Sequence, residues 1–281
     1  MKIFIISLVC ILIFGVNAYP VEISLKLSGG LNYLKLANIN SSLESWKENL
    51  EKEALFHKNW SFIEGKANKF HTGTSFETEL LIAFNSRLAT SISMGYIYGE
   101  QTGDQSEVTI EKKEIAYNFN KQTIINTIPL YFSVYYYFLT RDKMNLFVKG
   151  GAGYTWAKYI ERDGQKQIKE EIYKYPDELK AKAESPVYQA SLGFEYQMDE
   201  SMDFFIEACY RFAEINSFKE DTEEDPGNLY YFEEYNPDLD FWQSKFQIFK
   251  NKPSGKNYRS ISDEIIDFSG FSIKLGVKIR L

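Results

Sequence analysis

The sequence predicts an all-β protein: an antiparallel, up-and-down transmembrane β-barrel of eight strands. Three observations carry this. Apolar and polar residues alternate with period two in eight separate runs. The connections between runs are alternately short and long. After residue 18 no stretch approaches 18 consecutive apolar residues, so only strands remain to cross a bilayer.

The chain has 281 residues with 22 Phe, 20 Tyr and 4 Trp, yet its mean hydropathy is polar at -0.34. Its net charge of -7 lacks the basic face that phosphates require, which argues against a nucleic-acid partner. The chain opens with Lys2, an apolar run from Ile3 to Val16, and Val16-Asn17-Ala18. That order reads as a signal peptide over 1–18, cleaved after Ala18, and the run is too short to span. A lipoprotein reading at Cys10 is the weaker one, because Val9 is bulky for a lipobox. Cleavage leaves Cys209 alone, with no partner for an internal disulfide.

The barrel domain is expected over 19–281. In the first run Val21, Ile23, Leu25, Leu27, Leu31 and Tyr33 alternate with Glu22, Ser24, Lys26, Ser28 and Asn32. Phe76, Leu80 and Ile82 then oppose Ser75, Glu77 and Glu79; Ile92, Met94, Tyr96 and Tyr98 oppose Ser91, Ser93 and Gly95. Ile128 to Phe138 at even positions oppose Pro129, Tyr131, Ser133 and Tyr135. Val148, Ala152, Tyr154 and Trp156 oppose Lys149, Gly151, Gly153 and Thr155. Tyr188, Leu192, Phe194 and Tyr196 oppose Gln189, Ser191, Gly193 and Glu195. Phe204, Ile206, Ala208, Tyr210 and Phe212 oppose Glu207, Cys209 and Arg211. Phe271 to Leu281 at odd positions oppose Ser272, Lys274, Gly276, Lys278 and Arg280. Short turns fall near 85–87, 140–142 and 198–201; long loops are expected at about 37–72, 100–122, 160–185 and 216–264. Asn228–Tyr235 and Phe241–Phe249 offer one further hairpin, so ten strands stay open beside eight.

The signal peptide, the opening VEISLKLSGGLNYLKL and the closing FSGFSIKLGVKIRL resemble the small eight-stranded outer-membrane β-barrel proteins of the OmpA/OmpX/OmpW type. The closing strand departs from the usual terminal Phe by ending in Leu281. The resemblance implies the outer membrane of a Gram-negative-type bacterium, with the barrel-assembly machinery as partner during biogenesis. It also implies contact with outer-membrane lipids and lipopolysaccharide; the external partner stays unknown.

Alternation alone also fits a soluble exported barrel with its greasy face inward. Gly and Ser on the polar face, and aromatics at strand ends (Tyr96/Tyr98, Tyr136/Phe138, Tyr154/Trp156, Tyr196/Phe204), favour lipid.

A barrel of eight strands holds little more than its own side chains. The expected lumen carries Glu22, Glu77, Glu79, Glu195 and Glu207 against Lys26, Lys149, Arg211, Lys274, Lys278 and Arg280. That near balance favours a closed charge network over an ion-selecting ring, with Lys149 and Arg211 pairing to Glu77, Glu79, Glu195 or Glu207. A narrow solute channel through this network is the alternative.

In the first long loop, Asn40 or Ser41 with Glu44 forms a helix start; Leu43, Trp46 and Leu50 share a face, and Glu48/Lys52 form an i,i+4 pair. The acidic run from Lys219 to Trp242 fits no EF-hand. Its aromatics Tyr230, Tyr231, Phe232, Tyr235 and Trp242, together with Trp46, are candidate surface contacts. The only histidines, His57 and His71, show no metal or triad spacing. No cofactor, metal or catalytic residue is expected, and the chain reads as a structural or surface-interaction protein, not an enzyme.

Overall fold

The computed structural model of the protein describes residues 22–168, 174–222, 226–263 and 266–281. The expected export signal lies outside them. In chain order the elements are β1 (Glu22–Tyr33), α1 (Ala37–Phe56), β2 (Trp60–Ala67), β3 (Thr72–Ala83), β4 (Leu88–Gln101), β5 (Ser106–Lys112), β6 (Ile115–Arg141), β7 (Met144–Gln167) and β8 (Lys174–Gln197). There follow β9 (Met202–Phe212), β10 (Glu214–Ile215), β11 (Lys219–Glu220), β12 (Asn228–Asn236), β13 (Phe241–Phe249), β14 (Tyr258–Asp263), β15 (Ile266–Asp267) and β16 (Gly270–Arg280).

The fold is all-β and antiparallel, but the main sheet has fourteen strands, not eight or ten. Within it a closed ring runs β1–β3–β4–β6–β7–β8–β9–β16 and returns to β1. Leaving β1 at Asn32, the ladder steps through Ser272, Cys209, Ser191, Lys149, Tyr135, Ala89 and Ala83, then rejoins β1 at Glu22, ten residues away. That stagger tilts the strands, as closure demands.

Three short turns join strands at one end. In one, Asn85 Oδ1 accepts hydrogen bonds from the amides of Arg87 and Leu88 at 2.8 and 2.9 Å. In another, Asp199 Oδ1 does the same for Ser201 and Met202. Asp142, at φ 47°, makes the third with the left-handed backbone that Asp tolerates.

At the other end the expected loops are sheet. β6, β7 and β8 run 27, 24 and 24 residues, more than twice what a tilted strand needs to cross a bilayer. Their upper halves carry β5 and β2 on one side and β11, β12, β13 and β14 on the other. The hairpin β12–β13 forms as a strand pair, but above the ring and outside it. α1 packs against both β2 and β13, the two ends of the strand path, and so covers both open edges.

α1 starts at Ala37, earlier than Asn40 or Ser41, and no side chain caps it. Asn40 instead ties the helix to the sheet: its Oδ1 accepts from the Phe70 amide at 2.7 Å and its Nδ2 donates to the Phe70 carbonyl at 3.1 Å. Lys52 and Glu48 pair at 3.1 Å. No helix among the described residues is long and apolar enough to cross a membrane.

The ring settles which way the greasy faces point. Ile23, Leu27, Leu31, Phe76, Ile92, Met94, Ile128, Phe132, Val148, Leu192, Ile206 and Ile273 all lie exposed on its outside. Inside, Lys26, Glu79, Ser91, Ser133, Lys149, Glu195 and Glu207 are buried. A soluble barrel would show the reverse. An apolar belt this continuous requires hydrocarbon, so the chain is an integral outer-membrane-type β-barrel.

Candidate functional site

Period-two alternation along each ring strand delivers the lumen charges. Lys149 on β7 sits at the centre, its ammonium 3.3 Å from Glu77, 3.2 Å from Glu79 and 3.7 Å from Glu207. Lys274 on β16 adds contacts of 2.6 Å to Glu77 and 3.8 Å to Glu207. The hydroxyls of Ser91 and Tyr135 donate to Glu79, the latter at 2.7 Å.

A second cluster lies nearer the short turns. Lys278 reaches Glu195 and Asp203, each at 2.6 Å, and Lys26 reaches Glu195 at 3.3 Å. Arg280 joins Asp203 at 2.6 Å and Glu22 at 3.1 Å. The Lys26 ammonium lies over the rings of Tyr135, Phe147 and Phe205, at 4.8, 4.6 and 4.1 Å from their centroids. Leu81, Ala89, Tyr137 and Phe147 pack this end shut around Tyr135. Each buried charge of these two clusters has an opposite charge against it, the condition under which buried ions are tolerated.

Of the six residues expected to form one network, Glu77, Glu79, Lys149 and Glu207 come together, and Glu195 belongs to the second cluster. Arg211 is the correction. Among the described residues no carboxylate lies within ion-pair distance of it. Its Nε donates to the Phe268 carbonyl at 3.0 Å and its Nη1 to Asn32 Oδ1 at 3.4 Å. It therefore ties the lumen to the segment above it. Asp203 was missed, although it sits four residues before Glu207 on the same face of β9. Extending the alternation back through Phe204 finds it.

Above the charges the interior turns apolar. Leu34, Leu36, Ile39, Phe70, Ile125, Tyr131, Tyr159, Val187, Ile215, Phe218 and Phe268 form one buried cluster. Two polar groups are held within the upper sheet. Lys121 pairs with Glu161 at 2.7 Å and Asp163 at 3.6 Å. Burial alone pushes its ammonium down, but the two carboxylates outweigh this and hold it above its ordinary value. On the outside, Lys158 and Lys182 clamp Asp221 at 2.7 and 3.2 Å, and their hydrogen bonds hold its carboxyl below the usual range.

The candidate surface aromatics are mostly interior. Trp46 is buried with Ala54, Val108 and Ile110, between α1 and the β2–β5 pair. Tyr230 and Phe232 are also buried; Phe232 packs on Phe249 and Tyr258, and Tyr231 on Phe246. These four are core of the upper domain rather than contact residues. Tyr235 and Trp242 stay half-exposed, their rings tilted against each other at 5.1 Å with the Arg259 guanidinium 4.1 Å over Trp242.

His57 and His71 lie apart. His57 packs beside Phe56 and Trp60 at the far end of α1; His71 stacks on Tyr33 at 5.3 Å near its start. Among the described residues, no three His, Cys, Asp or Glu side chains gather to hold a metal.

Residues 134–222 match a family described as "Protein of unknown function, DUF481". No curated protein matches the chain. Among solved structures it is similar to the outer membrane protein OprG from Pseudomonas aeruginosa, at 10% identity and a TM-score of 0.41, covering 93% of this chain and 95% of that one. It is also similar to the outer membrane protease OmpT from Escherichia coli, at 8% identity and TM-score 0.34, covering 93% and 96%. A third is the translocator domain of the autotransporter NalP from Neisseria meningitidis, at 10% identity and TM-score 0.24, covering 98% and 94%. The expectation that the chain is not an enzyme is corrected: one of these structures is a protease.

Proposed function

We propose that the chain is a closed, eight-stranded transmembrane barrel that anchors a folded domain on the outer face of a Gram-negative-type outer membrane. In this reading it is exported by a cleaved signal peptide and inserted by the barrel-assembly machinery. The raised domain meets external partners or lipopolysaccharide.

One observation carries the reading: β6, β7 and β8 continue past the membrane belt and exchange their polarity. On β7 the outward residues change from Val148, Tyr154 and Trp156 to Lys158 and Arg162, while the inward ones change from Lys149 and Thr155 to Ala157 and Tyr159. The upper halves are thus walls of a water-facing domain with its own core. The ion-paired lumen and the apolar cluster above it both oppose a water-filled path.

Planar-bilayer recording tests this. The refolded protein should give no steady unitary openings at moderate voltage. Resolved openings that persist would overturn the closed lumen and favour a small-solute channel.

A further inference from the structure

Among the described lumen charges, Arg211 alone stands outside the ion pairs. It is 5% exposed, and its guanidinium is not fully met. Nε and Nη1 have acceptors in the Phe268 carbonyl and Asn32, but Nη2 has none among the described residues.

The shortage continues around it. Asn32, 3% exposed, accepts from Arg211 through Oδ1, yet its own Nδ2 has no acceptor. Ser272 sits directly across the β1–β16 ladder from Asn32, and its buried hydroxyl is likewise unpaired. The Tyr131 hydroxyl comes from β6, on the opposite wall of the ring, also buried and unpaired. Of the charges acting on that hydroxyl, Arg211 is the strongest and Lys274 the next. Two N–H groups that can only donate and two hydroxyls that can rotate to donate therefore surround a cation.

The neighbouring carboxylates do not supply its anion. Glu77 and Glu207 lie against Lys149 and Lys274, and among the described residues no carboxylate is within ion-pair distance of Arg211. A buried charge is tolerated when an opposite charge meets it. Water would satisfy the N–H groups and leave the charge unmatched.

We propose that Arg211, Asn32, Ser272 and Tyr131 hold one halide ion inside the barrel. One unmatched cation calls for one negative charge. A sulfate or phosphate dianion would set surplus charge beside Glu77, which also acts on the Tyr131 hydroxyl. A halide asks only for donors, from any direction. The ion pairs close the space below it and the apolar cluster closes the space above. The ion therefore enters as the chain folds and stays as a structural counter-charge, not as a solute in transit.

Refolding in detergent, with sodium bromide replacing sodium gluconate at constant ionic strength, tests this. Screening is then equal throughout, and gluconate is too bulky to be enclosed. Urea unfolding gives the folded-to-unfolded ratio, read on a heat-modifiability gel on which the folded barrel runs ahead of the unfolded chain. Above the dissociation constant, each tenfold rise in bromide should raise that ratio about tenfold, the slope of one ion bound by the folded state alone. Anomalous scattering from crystals grown in bromide should place one ion on the side-chain nitrogens of Arg211 and Asn32. Arg211→Gln should abolish the bromide dependence. Asn32→Asp should abolish it too, and should be as stable in gluconate as wild type is in bromide, because a carboxylate of the same shape then meets the guanidinium. If Arg211→Gln does not refold, Asn32→Asp decides. A ratio indifferent to bromide up to about 1 M, a slope that survives in either variant, or an adventitious ion only, on the outer surface, overturns the site.

Discussion

The lower and upper halves of β6–β8 share one backbone and opposite interiors. Around Lys149 the enclosed space is filled by carboxylates, ammonium groups and hydroxyls; around Tyr159 it is filled by Leu, Ile, Phe and Ala side chains. Outside, Leu192 on β8 faces hydrocarbon, while Glu184 on the same face of the same strand is exposed in the water-facing half. The strand pairing is unbroken across the change, with Trp156 opposite Glu184 and Ile128 opposite Trp156. A β-strand is indifferent to which side is greasy; the medium on each side decides.

That contrast can be broken or sharpened by substitution. Lys149→Met should have the largest effect, about 3–5 kcal/mol, because it leaves Glu77, Glu79 and Glu207 without their shared cation. Urea unfolding of the detergent-refolded protein measures it, and a loss below about 1 kcal/mol would mean the lumen is hydrated rather than close-paired. Phe246→Ala should cost about 3–4 kcal/mol in the upper domain, where Phe246 packs on Tyr159 and Tyr231. Limited proteolysis should then cut within 219–263 while the barrel keeps its gel shift.

On the outer surface, Leu192→Arg should cost about 2–4 kcal/mol near the bilayer midplane. Glu184→Leu, higher on the same face, should stay within about 0.5 kcal/mol. Equal costs would erase the distinction between the two outer surfaces. A further small effect concerns acid. Lys158 and Lys182 hold Asp221 below its ordinary value of 3.8, so the clamp contributes fully above that pH and is lost as pH falls through the lower folded value. Because the clamp is exposed to solvent, its loss should amount to under about 1 kcal/mol. Stability of the upper domain in acid should fall more steeply in wild type than in Asp221→Asn.

The same contrast explains what the sequence could tell. Wherever one face meets lipid, alternation of large apolar residues with Ser, Gly, Lys and Glu located the strand and its inward side. On those inward sides Lys149 lies within 4 Å of Glu77, Glu79 and Glu207. Above the belt the outward face is charged and the inward one mixes Ala157, Tyr159 and Glu161, so 160–185 read as a loop although 160–163 pair in register with 177–180. In the acidic run at 219–242 the strand over Asn228–Tyr235 is legible, but not that its Phe232 lies wholly inside. Arg211 illustrates another limit. Its backbone-carbonyl partner, Phe268, is 57 residues away in an irregular segment, and no spacing announces such a contact.

The helix that covers both edges of the sheet also imposes a schedule. Residues 37–56 emerge soon after the first strand, yet one of their two supports, β13, spans 241–249, and the first strand itself waits for 270–280 to close the ring. A nascent chain cut short anywhere before residue 241 would carry an amphipathic segment with half its berth unbuilt and an unpaired seam beside it. Completion is thus a late event: neither the berth of the helix nor the seam of the ring is whole until 241–249 and 270–280 are in place.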